Sequence, residues 1–436
     1  MSATSALRRP VVALFRTIMH VYFRSVQRVG QVPAATVGGR VFVANHHNAL
    51  VDPMLILTDA PCVISPVAKS TLWRIPGFRW LLDIASAVPI VRRQDVPEKQ
   101  ADSNAAAFDR IAAHLAGGGN ILIFPEGKSH ADPTIAPLRS GAARMLMAAH
   151  ALKPMAPLSF QAVALEFDAA DTFRSRTALL WGSPRGLDDV IASHDALEAQ
   201  VDAITELMQT DLRSLVIESA SREDRLLVGR VAQMLSNDRA ATSDASLGDE
   251  LATARAVASV GAQLQQLAPA RIDEVRTTVQ TYFGHLAQAE LRDIDVAAPL
   301  RRRPLSELLR LATTAPLALV GLLLYALPYP LPRIVAQRAD DADMVSTLKL
   351  GVALVLYPVW ATLLVVATML LLPWPASIGV SILALVAPFV TVWWLDRWQS
   401  RPGRFATRSS ETRTSLAEAR RAAMAAIGRA QAVAVT

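Results

Sequence analysis

The sequence predicts an α/β domain over residues 36–215, a helical region over 216–303 and a membrane region over 304–396. Three observations predict it. Short apolar or β-branched runs alternate with helical stretches over residues 36–185, as in a sheet flanked by helices. Strand signals then stop, and residues 186–300 become rich in Ala, Leu and Glu. Apolar residues concentrate after Leu311, which accounts for a hydrophobic content of 52% in the whole chain.

Before the α/β region, Leu14, Phe15, Ile18, Val21, Tyr22, Val26 and Val29 fall at helical spacing among Arg8, Arg9, Arg16, Arg24 and Arg28. Residues 7–29 therefore read as one amphipathic basic helix, and the first 35 residues as a membrane-interface element. Candidate strands follow at Val41–Ala44, Cys62–Val67, Ala87–Val91, Asn120–Phe124, Met155–Leu158, Val163–Phe167 and Ala178–Trp181. Helices are expected over Val96–Ala116 and Ser140–His150, with Gly117-Gly-Gly119 turning the first into a strand. Further helices are expected over Glu198–Ser219 and Arg222–Leu235, with a loop over Asn237–Gly248.

A net charge of +6 on an apolar chain suggests an anionic membrane surface or phosphorylated substrates. Nucleic acid fits less well, because no basic run is interleaved with aromatics. Cys62 is the single cysteine, so neither a disulfide framework nor a thiolate metal site is expected. The N-terminus does not read as a signal peptide, since Arg16 interrupts its apolar run.

Chemistry concentrates first at Val41-Phe-Val-Ala-Asn-His-His-Asn-Ala-Leu-Val-Asp-Pro53. A buried strand delivers His46 and His47 to its end, and Asp52 follows. Histidine titrates near neutrality, and a carboxylate can fix its tautomer and stabilise the imidazolium. The same residues also read as a helix start, with Asp52 as N-cap and Pro53 at the first position. A zinc site on the histidine pair is disfavoured, because no matching cluster occurs elsewhere. Two more constellations end strands: Arg92 and Arg93, and Glu126-Gly-Lys-Ser129. Arginine suits bidentate phosphate recognition, and Gly127 lets a backbone N–H approach a ligand.

Taken in order, these motifs resemble the phospholipid/glycerol acyltransferase family, which contains the lysophosphatidate and glycerol-3-phosphate acyltransferases. The resemblance covers roughly residues 10–215. It rests on Asn45-His-His-Asn-Ala-Leu-Val-Asp-Pro53, Val88-Pro-Ile-Val-Arg92, Phe124-Pro-Glu-Gly-Lys-Ser129 and Pro137-Leu-Arg-Ser-Gly-Ala-Ala-Arg144. A weaker match is Ala156-Pro-Leu158. It implies an α/β acyltransferase domain with a mixed sheet. It also implies direct acyl transfer from acyl-CoA or acyl carrier protein to a hydroxyl of lysophosphatidate or glycerol 3-phosphate, without cofactor or metal. Histidine would be the general base and Asp52 its orienting carboxylate. Arg92, Glu126 and Gly127 carry over as acceptor-binding, with Arg93, Lys128 and Arg144 as additional candidates. The family spacing His-x4-Asp selects His47, whereas the preceding Asn selects His46; the reading takes His46 first and keeps His47 beside it. Two alternatives stay open: an acyltransferase or transacylase for another lysolipid, and a non-catalytic lipid-binding protein of the same fold.

The apolar end holds Leu350–Leu372 and Ala376–Leu395, each long enough to span a bilayer, separated by Pro373-Trp-Pro375. Leu311–Pro332 is also uncharged but carries four prolines. Arginines crowd residues 397–436 and Arg301–Arg303, and such residues favour the cytoplasmic side. The expectation is a two-span hairpin with Leu311–Pro332 re-entrant or interfacial, a basic cytoplasmic tail and a catalytic domain on the cytoplasmic face. Three full spans are the alternative.

Overall fold

The computed structural model describes residues 3–34, 38–75, 77–91, 100–130, 134–217, 219, 221–239, 246–298, 304–339, 341–399 and 405–435. Two compact units divide the chain: residues 1–216 with 340–347, and residues 217–339 with 348–436.

The first unit begins with helix α1 (Ala3–Tyr22) and strand β1 (Ser25–Gly30). The expected single helix over 7–29 therefore stops early. Val26 and Val29 suit a helix face and a strand equally. Pairing decides: Ser25–Gly30 lies parallel to Arg176–Trp181, and tertiary context overrides local periodicity. Helix α1 also belongs to the domain. Met19 and Tyr22 are buried, Arg8 donates to the Ile64 carbonyl at 2.7 Å, and Arg16 donates to the Thr58 carbonyl at 2.6 Å. Leu7 and Leu14 remain exposed on it.

The sheet continues with β2 (Arg40–Ala44), β3 (Ser65–Lys69), β4 (Val88–Ile90), β5 (Asn120–Ile123), β6 (Ser159–Phe167), β7 (Arg176–Trp181) and β8 (Arg185–Gly186). Its order is β1-β7-β6-β2-β5-β3-β4, with β8 on β6. Strands β6, β2, β5, β3 and β4 run parallel, while β7 runs antiparallel to β6. The sheet is mixed, as expected. Two boundaries moved. Cys62–Ile64 precede β3, and Met155–Leu158 form a turn, because Pro154 and Pro157 lack ladder donors and pairing starts at Ser159. The centre of the core is β2, whose Val41, Phe42, Val43 and Ala44 are all fully buried. Helices α2 (Val51–Asp59), α3 (Phe78–Ile84), α4 (Gln100–Ala116), α5 (Gly141–Leu152), α6 (Asp188–Ser193) and α7 (Leu197–Leu215) complete the layers.

In a sheet of this kind, ligands collect beyond the carboxyl ends of parallel strands. Here that edge carries the loops after β2 and β5, with His46, His47 and the Phe124-Pro-Glu-Gly-Lys-Ser129 motif, whereas Ala156-Pro-Leu158 precedes β6 at the opposite edge.

The second unit contains α8 (Arg222–Arg239), α9 (Leu247–Leu267), α10 (Pro269–Gln288), α11 (Asp293–Ala297), α12 (Leu305–Tyr325), α13 (Leu331–Ala336), most of α14 (Val345–Leu371), α15 (Trp374–Gln399) and α16 (Ser410–Val435). The expected basic tail is thus a packed helix. Leu416, Ala423, Ala426, Ile427 and Ala430 form one buried stripe against Met234, Leu264, Val279 and Tyr282. Helices α12, α14 and α15 are each long and apolar enough to cross a membrane.

Helix α12 runs antiparallel along α15. Trp394 donates to the Leu311 carbonyl at 3.0 Å, Thr391 to that of Ala318 at 2.8 Å, and Tyr325 to that of Ala384 at 3.3 Å. Gly321 permits the close approach, since a Cβ there would stand 2.3 Å from Thr391 Oγ1 and 2.6 Å from the Ala387 carbonyl oxygen.

Candidate active site

Asn45 continues the work of β2 after the strand has ended. Its side-chain amide donates to the Leu165 carbonyl at 3.1 Å, and its carbonyl accepts from Leu165 N–H at 2.7 Å. This side chain replaces a backbone ladder pair and frees the main chain to turn. His46 therefore leaves the sheet at a fixed point.

The loop then wraps around Asp52, which is fully buried. One carboxylate oxygen, Oδ2, accepts from His46 Nδ1 at 2.9 Å, from His47 N–H at 2.6 Å and from Asn48 N–H at 2.7 Å. Asp52 sits in the first turn of α2 and faces backward, toward the loop. The expected cap is therefore corrected: α2 starts at Val51 after Leu50, so Asp52 is its second residue and Pro53 its third, and the Asp52 carboxylate serves the preceding loop instead. A carboxylate at the amino end of a helix is also favoured by the helix dipole. The loop, and not helical periodicity, sets the distance to the histidine.

The imidazole of His46 stacks on Phe124, with centroids 4.1 Å apart and planes at 20°. With Nδ1–H held by Asp52, the tautomer leaves a lone pair on Nε2, to which no described residue bonds. Such a dyad can take a proton from a hydroxyl and stabilise the resulting imidazolium. His47 faces elsewhere: its Nδ1 donates to the His130 carbonyl at 3.0 Å. Only its backbone meets Asp52.

The other expected residues divide. Glu126 lies beside His46, but its carboxylate is held by the protein. Oε1 accepts from His46 N–H at 2.9 Å, and Oε2 from Ala136 N–H at 2.9 Å and from the His130 ring. Gly127 has φ +82°, the left-handed region that side chains disfavour, and an added Cβ would stand 2.7 Å from the Arg139 guanidinium. Lys128 is exposed on the same loop. Arg144 points away into a pair with Glu198 on α7, at 2.7 and 3.1 Å, where hydrogen bonding by Glu198 raises its pKa. Arg92 and Arg93 lie outside the described residues. Among the described residues no three His, Cys, Asp or Glu side chains converge as a metal site would require.

Residues that the sequence reading passed over also stand here. Arg139 covers Gly127 from the same Pro137–Arg144 motif that supplied Arg144. Lys69 ends β3 at the carboxyl edge. The signal for Lys69 was its position at a strand end. Residues 341–347 contribute as well. Thr347 Oγ1 accepts from Leu50 N–H at 3.1 Å, Asp343 accepts from Ser129, and Ser346 donates to the Ala170 carbonyl at 2.7 Å.

Residues 25–161 match the family model described as Acyltransferase. The chain is similar to glycerol-3-phosphate O-acyltransferase 2 of Saccharomyces cerevisiae, 30% identical over 134 residues, covering 30% of this chain and 18% of that protein. It is similar also to glycerol-3-phosphate O-acyltransferase 1 of the same yeast, 27% identical over 131 residues, covering 29% of this chain and 17% of that protein. The matches thus span under a fifth of those relatives' length. Among solved structures, the 1-acyl-sn-glycerophosphate (LPA) acyltransferase PlsC from Thermotoga maritima aligns with TM-score 0.34 and 19% identity, over 49% of this chain and 83% of that one. The segment that matches the Acyltransferase model, residues 25–161, holds both the His46–Asp52 dyad and the Phe124-Pro-Glu-Gly127 loop.

Proposed function

We propose that this protein is a membrane-bound O-acyltransferase that moves a fatty acyl group from acyl-CoA or acyl carrier protein to a hydroxyl of glycerol 3-phosphate or lysophosphatidate. The observation that carries the reading is His46, held through Nδ1 by buried Asp52 with no described residue bonded to Nε2, inside the family-matched segment. The similarity to two yeast glycerol-3-phosphate O-acyltransferases supports a glycerol-phosphate acceptor.

In this mechanism His46 Nε2 takes the acceptor's hydroxyl proton as its oxygen attacks the thioester carbonyl. The C–S bond breaks, the ester C–O bond forms, and the imidazolium returns the proton to the departing thiolate. A thioester is already activated, so a positioned base is sufficient and no cofactor is required. Glu126 holds the backbone of His46, and the acceptor phosphate falls to Lys128 and to Arg139 beside Gly127, together with Arg92 and Arg93 as the family resemblance implies. Incubating purified protein with labelled acyl-CoA or acyl carrier protein and a panel of glycerol 3-phosphate, lysophosphatidate and other lysolipids tests this. Label is expected in a phosphate-bearing glycerolipid. Label only in lipids without that phosphomonoester would replace the acceptor, and no transfer to any member would overturn the reading.

The same proposal sets the membrane topology as a two-span hairpin of α14 and α15, with the catalytic domain and C-terminal helix cytoplasmic. Two observations support it. Tyr325, at the end of α12, reaches only Ala384, ten residues or about 15 Å short of Trp374 at the start of α15. Helix α12 thus ends short of the start of α15, and the chain turns at 326–330. Ser346 and Thr347, at the start of α14, bond to the acyltransferase domain. A cysteine-accessibility or reporter scan is expected to place residue 341 and residue 436 on one side, that of the catalytic domain. Opposite sides for residue 341 and the domain would establish a full span for α12.

A further inference from the structure

Two histidines beside His46 have no part in the proton transfer above, yet both bind the loop that carries Glu126. The contacts close a ring between loops 80 residues apart in sequence. His46 N–H donates to Glu126 Oε1 at 2.9 Å. Glu126 Oε2 accepts from Ala136 N–H at 2.9 Å and from His130 Nε2–H. His130 N–H returns to the His46 carbonyl at 3.0 Å. His47 Nδ1–H donates to the His130 carbonyl at 3.0 Å, and the two rings meet edge to face at 6.0 Å.

We propose that His130 is a positioning residue for the base: acting through Glu126 it fixes the backbone of His46, and with His47 it clasps the two catalytic loops together. The inference rests on the acyltransferase reading of the same site.

Burial makes the clasp consequential. The Glu126 side chain is wholly inaccessible, and that of His130 only 9% exposed. A buried carboxylate deprived of one donor carries an unpaid desolvation cost, which it relieves by rotating toward water or another donor. Either movement releases His46 N–H. The imidazole is pinned at Asp52 and Phe124, so a backbone shift translates into a changed approach of Nε2 to the acceptor. Misplacement by about 1 Å can cost on the order of 100-fold in rate. A Glu126 that instead contacted the acceptor directly would affect binding, and its loss would raise KM. Both of its oxygens are already engaged by protein donors, so the clasp predicts a loss in kcat.

The test compares full-length wild type with His130→Ala, His130→Gln, Glu126→Ala and the double variant His130→Ala/Glu126→Ala. Glutamine can donate an amide N–H toward Glu126, so it serves as the conservative replacement. The expected result is a kcat reduced about 10- to 100-fold in His130→Ala, with KM for both substrates within about threefold of wild type and substantial recovery in His130→Gln. The double variant is expected to fall no further than the weaker single variant, because both act through one linkage. Wild-type kcat in His130→Ala, or multiplying losses in the double variant, would overturn the proposal. A second readout does not depend on turnover. In 15N-histidine-labelled protein, the downfield Nδ1–H resonance of His46 against Asp52 is expected to shift or broaden in His130→Ala. If wild type transfers no acyl group to any acceptor, the acyltransferase reading fails, and this resonance decides the clasp by itself: an unchanged signal in His130→Ala overturns it.

Discussion

His46→Ala is expected to lower kcat for acyl transfer by about 10²–10⁴-fold, the range that a general base contributes. His47→Ala on the same acceptor is expected to lose at most about 10-fold, because its side chain bonds the His130 carbonyl and not the Asp52 carboxylate. The difference follows from one carboxylate. Oδ2 of Asp52 bonds the ring of His46 but only the backbone of His47. Deleting the first side chain removes the proton acceptor. Deleting the second removes one hydrogen bond between loops. Steady-state kinetics of the two variants, with unfolding transitions as a control for folding, reads this directly. A greater loss in His47→Ala than in His46→Ala would exchange their roles.

The second large effect lies far from the chemistry. Arg420→Ala is expected to destabilise the second unit by about 3–5 kcal/mol, the cost of leaving a buried charge without its partner. Asp293 has no accessible side-chain surface, and it accepts from Arg420 at 3.0 Å, Tyr282 at 2.7 Å and Asn237 at 2.9 Å. Burial and the Asp293 carboxylate push the Tyr282 hydroxyl well above its usual range, so it stays a donor. The network joins α8, α10, α11 and α16, and without Arg420 the remaining donors must carry a carboxylate in an apolar bundle. Detergent-solubilised protein is expected to release α16 to protease at lower denaturant concentration. Arg420→Met combined with Asp293→Leu is expected to recover most of the loss, since removing both charges eliminates the desolvation problem. No recovery in that double variant would show that packing, and not the charge, holds the helix.

These two sites differ in how far their sequence announced them. The His46 and Glu126 positions were legible because each stands just past the carboxyl end of a short apolar strand, and Asp52 because it follows His46 within the same motif. The strands themselves were legible because β2 and β5 are buried runs. What could not be read is which oxygen meets which donor. The clasp joins residues 80 or more positions apart, and His130 follows Ser129 in a stretch that reads as an ordinary turn. The Pro137–Arg144 motif pointed to Arg144 and left Arg139 unnoticed, and only the structure shows Arg139 beside Gly127 and Arg144 turned to Glu198. Strand β1 was hidden because Val26 and Val29 fit either period, and its partner lies about 150 residues later. Helix α16 was obscured differently. Its arginines suggested a solvated tail, while Leu416, Ala423, Ala426, Ile427 and Ala430 already repeat at helical spacing. A count of charges concealed a periodicity that was present.

The central claim is direct transfer with His46 as base, and single-turnover labelling tests it most directly. Protein is mixed with a radiolabelled acyl donor with and without acceptor, quenched under denaturing conditions, and the protein and lipid fractions are counted. Direct transfer predicts label in lipid only when acceptor is present, none retained on the protein, and lipid label reduced by about 10² or more in His46→Ala. Stoichiometric label on the protein without acceptor, or undiminished transfer by His46→Ala, would contradict it.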